Sequence, residues 1–333
     1  MPNSAMDVSF IVPAYNSEST LRECLDALRN MACSNAEIIV VDDASTDDTK
    51  LIGEEAGART LRLVKNSGPA AARNFGARHA RSEILFFVDA DVALSSEALN
   101  RVRMVFRDQP GLAAVFGSYD ANPKALGTVS QYRNLLHHFV HQNGQSEAST
   151  FWAGCGAIRR SVFERLGGFD EEQFPRASIE DVELGYRLRR AGFRIFLDKS
   201  LQGTHLKQWT LASLLRTDIF SRAIPWSRLI LDTRTAPNDL NLKWDQRASF
   251  VLLVLVCAFL ALGFFHSEFL VLSSAAFLVV LVLNRRVYLF FFRQRGLSFA
   301  LGCIALHILY YLYSGFSYLY VRTVFLLRSI VIL

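Results

Sequence analysis

Four carboxylates stand at positions where a carboxylate could do chemistry. Asp89 and Asp91 form an Asp-x-Asp triplet at the end of the apolar run EILFFVDADV (83–92). Two residues apart on a regular strand, they share one face, and the turn beyond can bring both to one ligand. Diphosphate esters leave badly unless a divalent cation takes up their charge, and hard cations such as Mg2+ or Mn2+ prefer carboxylate oxygens. Acidic pairs at strand ends also serve as helix N-caps or solvated turns, so the triplet alone does not decide. Asp43, in VVDDASTDDT, ends a second such run. Its carboxylate could accept a nucleobase N–H, or the Ser-Thr-Asp that follows could simply cap a helix. Asp181 opens the stretch DVELGYRLRRAG, a helix that Gly192 stops. A helix N-terminus is expected to keep Asp181 ionised at neutral pH, ready to deprotonate a hydroxyl, although acids in a first turn also occur for dipole reasons alone. In KNSGPAAARNFG (65–76) a Gly-Pro turn precedes a small-residue helix. Its N-terminal N–H groups and Arg73 could meet phosphates, or the small residues could serve close packing.

The elements that must hold these groups alternate. VSFIVPAY (8–15), EIIVVDD (37–43), LRLVK (61–65) and EILFFVDADV read as strands, with helices expected over about 18–30, from SerThrAspAsp to near Gly57, after Gly68-Pro69, and over 95–106. Such alternation predicts a Rossmann-like, mostly parallel sheet with helices on both faces, and ligands in such sheets lie beyond the strands' carboxyl ends. Pro13–Tyr15, Asp42-Asp43 and Asp89–Asp91 all fall there.

Charge and hydropathy divide the chain. Residues 1–245 carry 29 Lys/Arg against 30 Asp/Glu, whereas residues 246–333 carry seven Arg, no Lys and the single acid Glu268. The overall +5 therefore sits on arginines beside apolar segments, the pattern of a cytoplasmic membrane face, and gives no reason to expect nucleic acid. Ala248–Phe265 is an uncharged run of 18 residues, Phe269–Leu283 one of 15, and Gly296–Val321 is longer. About 20 apolar residues span a bilayer, so the first and third qualify and the second is short. The expectation is a helical hairpin (248–283), an interfacial Arg-flanked segment (285–296) and a third span (297–321). The residues before them (206–245) form an amphipathic membrane-proximal linker. Its part 207–226, with Trp209, Arg216 and Arg222, either lies on the headgroups near an acceptor or packs on the body's edge. The start MPNSAMDVSF shows no signal peptide, and five scattered cysteines without metal-ligand spacing suggest reduced thiols in a cytosolic body.

The stretches VSFIVPAYN, VVDDASTDDT, NSGPAAARNFG, FFVDAD, FWAGCGAIRRSVFERLGGFDE and IEDVELGYRLRRAG, in this order over about residues 7–205, resemble the family 2 glycosyltransferases of GT-A fold. The resemblance implies an α/β GT-A catalytic domain (1–205) followed by C-terminal transmembrane helices. It implies inverting transfer from a nucleoside-diphosphate sugar; the missing motif of processive synthases favours transfer of one sugar, and the apolar tail a membrane-associated, lipid-linked acceptor. By the same resemblance Pro13 and Tyr15 line the nucleoside pocket, Asp43 bonds the base, Asp89 faces the ribose and Asp91 holds Mg2+ or Mn2+. The turn with Trp152 and Gly154 borders donor sugar and acceptor, beside Glu180, and Asp181 is the base. The chain departs from the family pattern in three places. Asn16-Ser17 replaces the common Asn-Glu; the Gln-x-x-Arg-Trp of processive synthases is absent, HLKQW (205–209) lacking the Arg; and His205 stands where some members place a further metal ligand, though an isolated His also serves as a structural hydrogen-bonder. A nucleotidyltransferase of related fold would need a Gly-rich, basic phosphate loop that VPAYNSEST lacks. A non-catalytic nucleotide-sugar-binding scaffold would not need Asp43, Asp89, Asp91 and Asp181 together.

Overall fold

The computed structural model describes residues 8–31 and 36–331, with side chains through Arg328. Residues 1–7, on which the expected absence of an export signal partly rests, and Cys33 lie outside the described residues. The chain divides into two compact units. One comprises residues through Leu126 together with His141–Gln208; the other comprises Gly127–Val140 and the residues from Trp209 onward.

The first unit is built on eight strands: β1 (Val8–Ala14), β2 (Ala36–Asp42), β3 (Arg59–Arg62), β4 (Ile84–Val88), β5 (Val92–Leu94), β6 (Leu112–Tyr119), β7 (Cys155–Arg159) and β8 (Arg194–His205). They form one sheet in the order β3-β2-β1-β4-β7-β6-β8-β5. Strands β1 to β4 pair in parallel, as the alternating apolar runs imply. Beyond β4 the sheet is mixed: β7 lies antiparallel between β4 and β6, β8 runs parallel to β6, and β5 closes the edge antiparallel to β8. The central strands are continuous hydrophobic runs because both faces are covered; every residue of β4 and β6 is buried. Helices α1 (Glu18–Met31), α2 (Thr49–Glu55), α3 (Gly68–His79) and α4 (Ala98–Asp108) follow strands as expected. The third strand begins two residues earlier than LRLVK suggests. Its backbone partners are Ile39–Asp42, and after Arg62 the chain leaves the edge, so Val64 is exposed.

Helix α5 (Thr128–Gln142) contains the division between the units. Helices α6 (Arg160–Arg165) and α7 (Glu180–Arg190) return to the first unit. Helix α7 ends where Gly192 adopts φ +80°, as its place after the last helical residues predicts. Gly185 in the middle of α7 has a packing reason: a Cβ there would lie 2.3 Å from the Phe151 nitrogen and 2.6 Å from the Thr150 carbonyl carbon. The missing side chain lets the helix press against the backbone that leads into the Trp152 turn.

The second unit is helical. Helix α8 (Leu211–Arg216) opens with a capping box, in which Thr210 Oγ accepts from Ser213 N–H and Ser213 Oγ from Thr210 N–H. A π-helical segment (Thr217–Ala223) then leads into α9 (Ile224–Thr233). Helices α10 (Trp244–Leu262), α11 (Glu268–Leu283) and α12 (Arg285–Val331) follow. Trp244–Leu262 and Arg285–Arg328 are long and apolar enough to cross a membrane; α11, at 16 residues, is shorter. Gly296 interrupts α12 at φ 82°, ψ −178°, a conformation open to glycine and strained for other residues. The segment before it is more than a surface strip, since Val287, Tyr288 and Phe291 are buried and Phe291 packs 5.9 Å from Tyr132. Asn284 and Tyr311 supply a buried polar tie, with Tyr311 Oη donating to Asn284 Oδ1 at 2.6 Å and Asn284 Nδ2 to Ser249 Oγ at 2.9 Å.

Gly185→Ala is expected to cost about 1–3 kcal/mol through overpacking against a fixed backbone. Gly111→Ala, where a Cβ meets nothing within 4 Å, is the matched control and should change the thermal unfolding midpoint little. Equal midpoints for the two variants would show that the α7 contact is not tight.

Candidate active site

The loops after β1 and β2 hold each other. Asn16, at φ 48°, donates its N–H to Ser45 Oγ and accepts at Oδ1 from Thr46 N–H; Ser17 N–H donates to Thr49 Oγ1, and Glu18 N–H to Asp47 Oδ2. The Ser-Thr-Asp stretch thus serves the start of α1, an exchange across two loops that local capping rules do not reveal. It fixes the loop carrying Tyr15, which is exposed, while Pro13 is half-buried at the end of β1.

Asp43 is buried, and its two oxygens accept the N–H groups of Ser67 (2.7 Å) and Gly68 (2.8 Å). Burial raises its carboxyl above the usual range, and those two N–H groups pull it back in part. The Gly68 N–H that opens α3, and that of Ser67 before it, are therefore engaged by Asp43. A nucleobase N–H would have to share these oxygens.

Arg73 also differs from its expected role. It is buried, donating from one guanidinium nitrogen to Asp89 Oδ1 at 2.6 Å and from another to Glu180 Oε1 at 2.7 Å. Burial disfavours its charge, but Asp89, Glu180 and Asp181 outweigh that and keep it ionised. Instead of meeting phosphates with a free cation, Arg73 ties α3 to the end of β4 and to the first turn of α7. Glu180 is fixed further by Ser178 N–H at 3.0 Å.

Asp181 lies beside this pair. Its Oδ2 accepts from Ala153 N–H at 3.0 Å and its Oδ1 from Val182 N–H at 2.8 Å, which puts the carboxylate against the turn of Trp152 and Gly154. The same turn touches the end of β4, where Asp89 N–H donates to Gly154 O at 3.2 Å. The helix terminus does not keep Asp181 fully ionised at neutral pH. Burial first, and the like charge of Glu180 second, push its carboxyl up to about 7 against the opposing pull of Arg73 and Ala153 N–H. That correction favours a base, because a carboxyl titrating near neutrality combines useful basicity with substantial ionisation.

Asp91 and His205 meet because β5 pairs antiparallel with β8, setting Val92 opposite His205. His205 Nε2 stands 3.7 Å from Asp91 Oδ2. Burial raises the Asp91 carboxyl, but His205 and Lys207 outweigh it and hold it below the usual range. The spacing suits two donors on one cation at about 2 Å from each, and an oxygen–imidazole pair suits Mn2+ better than an all-oxygen cation. Among the described residues no group of three or more His, Cys, Asp or Glu could hold a metal, so further ligands would come from a diphosphate and water.

Sequence reasoning missed Tyr119 and His141. Tyr119 stacks on His205 with centroids 4.3 Å apart and meets Trp152 edge-on at 4.9 Å; His141 also stands edge-on to Trp152, at 5.5 Å. Tyr119 ends β6, so the strand-end rule that found Tyr15 would have found it. Trp209 and Arg222 belong to the second unit: Trp209 is buried with its backbone N–H donating to Ser130 Oγ at 2.8 Å, and Arg222 pairs with Asp218 at 3.1 Å.

Residues 9–167 match the model of Glycosyl transferase family 2. The pre-mycofactocin glycosyltransferase of Mycobacterium tuberculosis (strain CDC 1551 / Oshkosh) is 31% identical over 203 residues, covering 58% of this chain and 41% of that protein. The putative glycosyltransferase EpsH of Bacillus subtilis (strain 168) is 41% identical over 188 residues, covering 55% and 51%. The chain therefore spans about half the length of these relatives. Among solved structures, the mannosyltransferase PcManGT from Pyrobaculum calidifontis, in complex with GDP-Man and Mn2+, superposes with a TM-score of 0.57 at 18% identity, covering 96% of this chain and 88% of that one. TarS from S. aureus, in complex with UDP-GlcNAc, gives 0.52 at 21% identity, covering 68% and 64%. The sheet and these superpositions define a GT-A fold. The family match over residues 9–167 and the glycosyltransferase relatives support a family 2 glycosyltransferase over the nucleotidyltransferase reading.

Replacing Arg73 by Met should leave Asp89 and Glu180 buried without their counter-charge, a loss of about 3–5 kcal/mol at neutral pH. The deficit should shrink in acid as the Asp89 carboxyl, which burial raises, takes up its proton. Denaturation of wild type and Arg73→Met at pH 7.5 and 5 checks this; a deficit independent of pH would mean that lost packing, not charge, is responsible.

Proposed function

We propose that the chain is an inverting glycosyltransferase that moves a single sugar from a nucleoside-diphosphate sugar to a membrane-associated, lipid-linked acceptor at the cytoplasmic face of the cell membrane. The observation that carries this reading is Asp181, anchored on the Trp152 turn and titrating near neutrality beside the Arg73 cluster. Asp181 takes the proton of the acceptor hydroxyl. The freed oxygen attacks the anomeric carbon from the face opposite the leaving group, and the carbon–oxygen bond to the diphosphate breaks with its electron pair, releasing nucleoside diphosphate. Pro13, Tyr15 and Asp43 receive the nucleoside and Asp89 the ribose, while Trp152, Gly154 and Glu180 border the sugar. Asp91 and His205 would hold Mg2+ or Mn2+, which supplies charge neutralisation to the departing diphosphate. The membrane part of the reading is supported by the two long apolar helices and by the seven arginines that flank the tail's apolar runs.

Asp181→Asn should lower transfer at least 1000-fold while donor binding persists. Asp91→Ala should abolish metal-dependent donor binding, read as loss of the thermal shift with nucleotide sugar and Mn2+. In the wild-type protein kcat/KM should rise with pH and level off above an apparent pKa near 7, because the raised carboxyl must lose its proton to act. Near-normal transfer by Asp181→Asn would remove Asp181 from the mechanism.

A further inference from the structure

The second unit contains a cavity of about 430 Å3, within the range of small-ligand sites. Its apolar lining includes Trp226, Phe250, Val251 and Leu319. The same cavity is lined by Arg133, Arg222, Arg247 and the carboxylate Asp218. Guanidinium groups thus outnumber carboxylates among the lining side chains, beside apolar ones.

The backbone is shaped to produce this arrangement. The π-helical segment Thr217–Ala223 widens the turn between α8 and α9 and carries both Asp218 and Arg222. Such turns recur at functional sites because they re-aim side chains that a regular helix would direct elsewhere. Asp218 is buried and already served: Tyr313 Oη donates to it at 2.6 Å, Arg222 at 3.1 Å, and Arg133 stands 3.4 Å away. Arg247 donates to the carbonyl oxygens of Ala236 and Pro237 at 3.3 and 3.2 Å and lies over the Trp244 ring. Those neutral partners orient its charge without cancelling it.

The cavity's position along α10 indicates what brings the compensating charge. Gln246, Arg247, Phe250 and Val251 all lie in the first turns of α10, the polar end of a helix long and apolar enough to cross a bilayer. With that helix in a membrane, its polar end lies at the headgroups, where arginine and aromatic residues concentrate. We propose that this cavity binds the phosphate-bearing end of an anionic lipid, the guanidinium groups taking the phosphate oxygens and the apolar lining the first part of the hydrocarbon chain. The proposal rests on the membrane seating given above but not on sugar transfer.

The full chain, purified in neutral detergent and stripped of lipid, should retain one phosphatidic acid per chain by native mass spectrometry. Phosphatidylcholine of the same acyl chains should be retained at least tenfold less well. Arg222→Gln/Arg247→Gln should bring the two lipids within about threefold of each other, while Arg222→Lys/Arg247→Lys keeps most of the preference. Ala223→Leu, which fills the cavity without altering charge, should reduce capture of phosphatidic acid. Should the Gln variant not fold, the unmodified protein still decides: its preference should fall between 50 and 500 mM salt. Equal retention of both lipids, a preference indifferent to salt, or displacement of phosphatidic acid by millimolar inorganic phosphate would overturn the proposal, the last in favour of a free-anion site. Lipid capture needs no donor, so its failure alongside Asp181-dependent transfer defeats the cavity alone. Capture without transfer defeats only the catalytic reading.

Discussion

The arrangement of the first unit turns on one buried guanidinium. Arg73 holds Asp89 and Glu180 at salt-bridge distance, and a buried carboxylate pair without it would face mutual repulsion as well as desolvation. Through these two contacts the helix after β3, the carboxyl end of β4 and the first turn of α7 become one rigid corner. Asp181 inherits its character from that corner. Burial first, and then the negative charge of Glu180 that the single Arg73 does not fully offset, raise the Asp181 carboxyl to about 7. The same excess, continued by Asp91, makes the end of β4 a place where a cation is welcome and a bare diphosphate is not.

The sheet brings the remaining groups to that corner. Parallel pairing of β1, β2 and β4 aligns their carboxyl ends, which gathers Tyr15, Asp43 and Asp89 on one edge. Strand β7 then enters antiparallel beside β4, so that the Trp152 turn arrives at the same edge from the opposite direction. The β5–β8 pairing delivers His205 to Asp91. Three distant parts of the chain thus meet through backbone register, with side chains added afterwards.

The parts legible in the sequence are those that local rules govern. Buried parallel strands read as apolar runs, the carboxylates sit where such runs end, and Gly192 stops α7 as its position implies. Partnerships made across the fold were not legible. Nothing near Arg73 reveals that its partners lie 16 and 107 residues away, so a buried tie was expected to be a phosphate-facing cation. The ionisation of Asp181 was misread for a similar reason: the helix dipole is a local cue, whereas burial and Glu180's charge depend on the folded surroundings. The mixed half of the sheet escaped too, because β6 and β7 pair antiparallel although helix α5 lies between them, so strand–helix alternation gives no sign of the reversal. With β6 went Tyr119.

The second unit obeys a different constraint, the need to place long apolar helices while keeping charges at their ends. Its π-helical turn and arginine-lined cavity sit at such an end. Sugar transfer to lipid is read most directly in the product released from the donor. Purified full-length protein, supplied in turn with UDP-, GDP- and dTDP-sugars, Mn2+ and extracted membrane lipid, should release nucleoside diphosphate from one donor class in stoichiometric step with sugar appearing in the lipid phase. Release of nucleoside monophosphate, or nucleoside diphosphate released with no sugar entering lipid, would contradict it.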